Sequence, residues 1–197
     1  MLMPITERRV WMSAKDERVA IVTGASKGLG AAITRRFAKE GIRVVACARS
    51  EDKLKKVAES DPDLIFPVPC DITQSRQVKG VIDTTIERFG RIDILVNNAG
   101  LGRFGKVHEL SEEDWDQMMS VNLKGAFLAC KYAIPFLIRQ KGHIVNISSV
   151  AGIVAFPGGG GYCASKFGLM ALSDALTQEL KPHEVRVSTL CPGSILT

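Results

Sequence analysis

Tyr162 and Lys166 are the residues of this chain best suited to moving a proton. They stand four apart in a stretch, Tyr162–Leu180, that reads as a helix, so both side chains fall on one face. A phenol ordinarily keeps its proton up to about pH 10. A neighbouring ammonium stabilises the phenolate and lowers that value. Such a tyrosine serves as general acid for reducing a carbonyl, or as general base for oxidising an alcohol. Ser149 follows a β-rich run, His143–Ile147, and so belongs near the carboxyl end of a strand, where ligands bind in open α/β sheets. Its hydroxyl suits an oxygen that gains negative charge during reaction.

A second constellation points to a phosphorylated cofactor. The run Thr23-Gly-Ala-Ser-Lys-Gly-Leu-Gly30 lies between a strand, Val19–Thr23, and a helix, Leu29–Glu40. Glycine there lets the backbone turn tightly and approach a ligand, and the free N–H groups of a helix start favour a pyrophosphate. The next strand ends Cys47-Ala48-Arg49-Ser50. Folds of this kind that prefer NAD carry an acidic residue at that point, whereas an arginine accommodates a 2′-phosphate. Arg49, with Lys27 in the glycine loop, therefore predicts NADP(H).

The elements that must position these residues alternate. Further strands are expected at Arg43–Cys47, Leu64–Val68, Ile92–Val96, His143–Ile147 and Val185–Leu190. Further helices are expected at Glu51–Glu59, Thr73–Phe89 and Ser111–Arg139, the last opened by a capping-box-like Ser111-Glu-Glu-Asp114. Trp115 and Met118, at i and i+3, read as packing residues of that helix. A glycine-rich loop spans Val150–Gly161. Strands alternating with helices predict a doubly wound parallel α/β sheet covered on both faces, because parallel strands require crossovers. The proline in Leu64–Val68 suits a position near a sheet edge.

The chain's 197 residues favour a single domain, with 46% apolar and 24% charged residues in the range of soluble globular proteins. Its formal charge of +5 is not gathered into a run, which argues against nucleic acid as a partner. Five scattered cysteines without a C-x-x-C pair read as reduced thiols in a cytoplasmic protein, and the three histidines show no metal-ligand spacing. The sequence has no run of 18 apolar residues, so no membrane span is predicted. Regular patterning starts near Arg18, which leaves 1–17 as an N-terminal tail, its first part Met1–Trp11 a possible upstream start, and 18–197 as one cofactor-binding catalytic domain.

Taken together, these motifs resemble the classical short-chain dehydrogenase/reductase family from Arg18 onward. The glycine loop Thr23–Gly30, Asn97-Asn-Ala-Gly100, Asn122 in Val121-Asn-Leu-Lys124, Ser149, the Tyr162-x-x-x-Lys166 pair and Pro192-Gly193 are each similar to a family motif. The resemblance implies a Rossmann-type fold and oxidoreductase activity on a small-molecule carbonyl or alcohol, 3-oxoacyl compounds among the options. Tyr162 would be the proton donor or acceptor, Ser149 would orient the substrate oxygen, and Lys166 would bind the nicotinamide ribose. Asn122 would hold a relay water. Around the cofactor would lie Gly24, Ser26, Lys27, Gly28, Leu29 and Gly30, then Arg49, Asp71 and Ile72 on the adenosine side. Asn98, Ala99, Gly100, Pro192, Gly193 and Ile195 would complete the site toward the nicotinamide. The helices Ser111–Arg139 and Tyr162–Leu180 would pair subunits into a homodimer or homotetramer. The resemblance also implies a substrate-covering segment and a final strand beyond Thr197, whose absence leaves Val185–Leu190 as an open edge. The alternative reading is a truncated, non-catalytic nucleotide-binding or scaffold protein of the same fold.

Overall fold

The computed structural model describes residues 18–194. The expectations for the N-terminal tail and for Ile195 lie outside those residues.

Six parallel strands form one sheet in the order β3-β2-β1-β4-β5-β6. They are β1 Val19–Thr23, β2 Arg43–Ala48, β3 Ile65–Pro69, β4 Ile94–Asn97, β5 His143–Ile147 and β6 Arg186–Leu190. This is the doubly wound arrangement, with the strand order reversing between β1 and β4. The helices α1 Gly28–Lys39, α2 Glu51–Ala58, α3 Ser75–Phe89, α4 Glu112–Met118, α5 Gly125–Gln140 and α6 Gly160–Leu180 supply the crossovers.

Side-chain alternation along the central strands explains the two covered faces. Ile21, Val45 and Leu95 point into one core with Val81 of α3, Leu128 and Leu137 of α5, and Leu176 of α6. Their neighbours Val22, Val44, Ala46 and Val96 point into the other, with Ala38 of α1 and Leu54 of α2. β1 is buried over its full length, so both sets of its side chains contribute. Each buried Val, Leu or Ile side chain among these stabilises the fold by about 1.5–3 kcal/mol.

The two edges differ. β3 carries Pro67 and Pro69, neither of which has an N–H to offer to a further strand. β6 occupies the opposite edge and is only partly covered, with Leu190 exposed.

The structure departs from the sequence reading at three places. β4 starts two residues later than expected, because Asp93 is drawn into a brace: its carboxylate accepts from the Val19 N–H at 2.8 Å and from Arg91 Nη2 at 2.6 Å. The helix from Glu112 to Gln140 is continuous but widens to π geometry over Met119–Lys124. Met118 is fully buried, whereas Trp115 is exposed and is not a core residue. The 29-residue Glu112–Gln140 helix is long and apolar enough by composition to cross a membrane. Its apolar side chains Leu128, Ala129, Ala133 and Leu137 are instead spent on the sheet core.

Candidate functional site

The site is built where β1, β2, β4 and β5 end. Thr23, the last residue of β1, joins two of these ends. Its hydroxyl donates to Val96 O at 3.3 Å and accepts from the N–H groups of Asn98 and Ala99, each at 3.0 Å. The Asn98 amide in turn donates to Thr23 O at 2.9 Å and Gly24 O at 3.2 Å. The glycine loop is thereby held against the segment after β4. That closeness fixes the glycines: a Cβ on Gly30 would lie 2.3 Å from Gly24 O, and one on Gly24 would lie 2.8 Å from Ala99 Cα. Gly24 and Gly28 also adopt positive φ, of 66° and 53°.

α1 starts without a side-chain cap and has no acidic residue in its first turn. Its leading N–H groups are left for a ligand, and the dipole there favours an anion. A cleft of about 440 Å³ opens over this end. Residues 24 and 26–30 of the glycine loop line it, as do Arg49, Asp71, Ile72, Asn98, Ala99 and Gly100. The shape and polarity of this cradle fit a dinucleotide. Three cations line the cleft: Lys27, Arg49 and Lys53, none of them in an ion pair among the described residues. Asp71, the carboxylate there, accepts from the N–H and hydroxyl of Thr73 at 3.0 and 2.8 Å, so it serves its own turn.

Sequence reasoning missed several lining residues. Lys53 sits one turn into α2 and was legible as a cation near Arg49. Cys47 and Cys70 also line the cleft, at the ends of β2 and β3. The contact with Cys70, then burial, pushes the Cys47 thiol well above its ordinary value, and the same contact lowers Cys70. Nothing in the separate sequence positions of the two thiols announces this contact.

Tyr162 and Lys166 lie beyond the cleft lining, past Gly100. Lys166 is buried, and its ammonium donates to Ile147 O at 2.9 Å. Burial pushes its pKa down to about 8, with the neighbouring Cys191 acting in the opposite direction. It remains mainly charged at neutral pH. Its Nζ stands 5.8 Å from the centroid of the Tyr162 ring. Tyr162 is half-buried. The adjacent serines are separated by burial: Ser148 Oγ is buried and donates to Lys166 O at 3.3 Å, while Ser149 is half-buried and its Oγ accepts from Ala151 N at 3.1 Å. Of the two, Ser149 is the one within reach of a ligand.

Asn122 connects the two regions. Its Oδ1 accepts from Leu101 N at 2.8 Å, and its Nδ2 donates to Leu101 O at 2.8 Å and Ser165 Oγ at 2.9 Å. Ser165 Oγ then donates to Tyr162 O at 2.7 Å. The Asn122 amide is thus committed to bracing the segment after β4 against α6. A Cβ on Gly100 would lie 3.4 Å from Asn122 Oδ1 and 3.6 Å from Lys166 Nζ, so the end of the cleft abuts the Lys166 cation directly. The π turn that contains Asn122 interrupts regular helical bonding at this point, as such turns often do beside functional sites. Tyr162, Lys166, Pro192 and Gly193 lie outside the cleft lining. Pro192 O accepts from Val150 N at 3.0 Å, which ties the segment after β6 to the turn after Ser149.

A nucleotide cradle at the strand-order reversal, with a tyrosine and a buried lysine at its inner end, defines a dinucleotide-dependent α/β protein. The profile of the short chain dehydrogenase family matches residues 18–197, and the chain belongs to that family. It is 41% identical over 186 residues to the 3-oxoacyl-[acyl-carrier-protein] reductase FabG of Thermotoga maritima, covering 92% of this chain and 76% of that protein. Among solved structures, it is similar to a metagenomic short-chain oxidoreductase in complex with NADP, with TM-score 0.86 and 41% identity over 93% of this chain and 85% of the other. It is also similar to carveol dehydrogenase from Mycobacterium avium in complex with NAD, with TM-score 0.85 and 32% identity over 89% and 70%.

Proposed function

We propose that this oxidoreductase uses NADP(H) to interconvert a small carbonyl compound and its secondary alcohol, with Tyr162 as the acid–base group. The observation that carries the proposal is the meeting of Gly100, Asn122 and Lys166 at the inner end of the cleft, one turn of α6 from Tyr162. Residues 18–197 act in this reading as one cofactor-binding and catalytic domain.

The glycine loop and the start of α1 hold the pyrophosphate, and Arg49, Lys27 and Lys53 receive the 2′-phosphate. Ala48 leaves no carboxylate at the end of β2 to repel it. Asp71 and Ile72 border the adenine; Asn98, Ala99 and Gly100 line the path inward, and Pro192, Gly193 and Ile195 flank the nicotinamide side. The bound cofactor supplies or takes the hydride at the carbonyl carbon. Ser149 donates to the substrate oxygen as charge builds there. The Tyr162 O–H gives its proton to that oxygen on reduction and takes it back on oxidation. Lys166, held by Ile147 O, keeps a positive charge beside the phenol ring. Asn122 keeps this constellation in register through its side-chain amide.

Cofactor fluorescence during titration with NADPH and NADH tests the cofactor half. Tight NADPH with weak NADH binding is expected, and Arg49→Ala should remove the preference. Tyr162→Phe tests the chemistry: turnover should collapse by about 100-fold or more while NADPH affinity stays within a factor of two or so. Equal affinity for both cofactors would defeat the first half, and a fully active Tyr162→Phe protein the second. The unpaired state of all five cysteines supports a reducing, cytoplasmic setting. Self-association through α5 and α6 is supported by Phe127 and Phe167, aromatic side chains left exposed on those helices. A monomer in sedimentation would count against it.

A further inference from the structure

Two loops bracket Tyr162: the segment that follows β4, and the segment between the Val150–Gly152 turn and α6. A backbone bond joins them, with Gly105 N donating to Gly158 O at 2.8 Å. Together they present an aromatic surface. Phe104 meets the Tyr162 ring edge-on, with centroids 5.6 Å apart and planes at 69°, and lies 6.0 Å from the Phe156 ring. Phe104 is 64% exposed, and Ile153, Val154 and Phe156 of the second loop are exposed as well. Glycines make room for these rings. A Cβ on Gly102 would lie 2.9 Å from the Phe104 ring and 3.5 Å from Tyr162, and one on Gly159 would lie 2.5 Å from Phe156.

The charges on the first loop are engaged. Arg103 pairs with Asp114 at 3.2 Å, and Lys106 with Glu109 at 3.6 Å. A carboxylate on the substrate would therefore find no unpaired cation on this loop. A polyhydroxylated substrate would find phenyl rings and aliphatic side chains where it needs donors and acceptors, and leaving its hydroxyls unpaired opposes binding. An aryl or cycloalkyl group, by contrast, would cover a patch of apolar surface that otherwise faces water beside the reacting oxygen.

We propose that Phe104 and Phe156 form the substrate-facing wall beside Tyr162, and that the substrate is a neutral ketone, or the matching secondary alcohol, bearing an apolar ring or branched alkyl group. Phe104, in contact with the Tyr162 ring, sets that preference. The inference rests on Tyr162 being the acid–base residue, and its test must separate the two.

The full chain is assayed with NADPH and three probes: acetophenone, dihydroxyacetone and acetoacetate. Binding of para-fluoroacetophenone to the chain with NADP+ is followed in parallel by fluorine NMR, which needs no turnover. Acetophenone should exceed the other two in kcat/KM by about 100-fold. Phe104→Ala should lower that value about 10- to 100-fold and weaken fluoroacetophenone binding comparably, with a much smaller effect on dihydroxyacetone. NADPH affinity should hold, and Phe104→Leu should restore most of the loss. A wild-type preference for dihydroxyacetone or acetoacetate overturns the proposal. So does a Phe104→Ala protein that keeps both its selectivity and its fluoroacetophenone binding. If the substitution changes only the sedimentation coefficient or Tm, the wall is a contact between chains and the proposal fails. Tyr162→Phe distinguishes the underlying reading: a variant that still reduces acetophenone refutes the acid–base role, while its fluoroacetophenone binding reports on the wall alone.

Discussion

Burial of Lys166 gives the protein a stability that should depend on pH in a defined window. Its pKa falls from 10.5 to about 8, chiefly because the ammonium is desolvated. That fall corresponds to roughly 3 kcal/mol. Below about pH 8 the lysine is charged in both the folded and the unfolded chain, and the folded state bears the whole penalty. Between about 8 and 10.5 the unfolded lysine holds a proton that the folded one has released, so folding stability rises with pH. Above 10.5 both are neutral and the penalty is gone. Lys166→Met removes the titration while keeping most of the side chain's bulk. It also strips Ile147 O of its 2.9 Å donor, a loss of about 1–3 kcal/mol that does not vary with pH. The informative quantity is therefore the difference in unfolding free energy between wild type and variant as a function of pH. Groups remote from Lys166 titrate alike in both proteins and cancel. Urea unfolding followed by circular dichroism at pH 7, 8.5 and 10 should show that difference moving in favour of wild type by roughly 2–3 kcal/mol. A difference that stays flat across this range would refute the claim that the folded chain desolvates a charged lysine here.

Other consequences follow from the same geometry. Carbonyl reduction should decline above about pH 8 as Lys166 loses its charge, read from the pH profile of kcat/KM; a profile level to pH 9.5 would exclude an electrostatic role for it. Gly30→Ala places a Cβ 2.3 Å from Gly24 O, a backbone atom that cannot swing away. NADPH affinity measured by fluorescence titration should fall by about 10-fold or more, roughly 1.4 kcal/mol or more. Asp93→Asn weakens the brace on Val19 and Arg91 at the far end of the sheet. It should lower unfolding stability by about 1–3 kcal/mol with NADPH affinity intact; an affinity change would mean that the two ends of β1 are coupled.

How much of this was legible in the sequence depends on how far each interaction reaches along the chain. The strand–glycine loop–helix unit was visible because its constraints are local: Val19–Thr23 is a short β-branched run, and the glycines follow at once. Tyr162 and Lys166 were legible for a related reason, since helical spacing alone places them on one face. The π turn at Met119–Lys124 was not. Nothing in Met119-Ser-Val-Asn-Leu-Lys124 disfavours an ordinary helix strongly enough to predict it. Asn122 bonds to Leu101, 21 residues away, and to Ser165, 43 residues away, and those partners meet only once the sheet has formed. The late start of β4 has the same origin, a bond from Val19 N to a carboxylate 74 residues distant.

The same distinction accounts for the division within the site. The cofactor end is made largely of backbone: amide groups of the loop and helix start, with glycines present because their neighbours approach too closely for a side chain. Such an arrangement is set by residue type at fixed offsets and can be read in order along the chain. The inner end is made of side chains drawn from the π turn, the end of β5 and α6, with the segment after β4 braced among them. Its properties depend on desolvation, which no offset encodes. Lys166 in the sequence is simply a lysine; only when Ile147 O, the Gly100 backbone and the Tyr162 ring close around it does it acquire the lowered pKa that makes its charge responsive near neutral pH. The glycine loop and the uncapped start of α1 thus shape one end of the cleft. The burial of one cation, Lys166, makes the charge at the inner end depend on pH near 8.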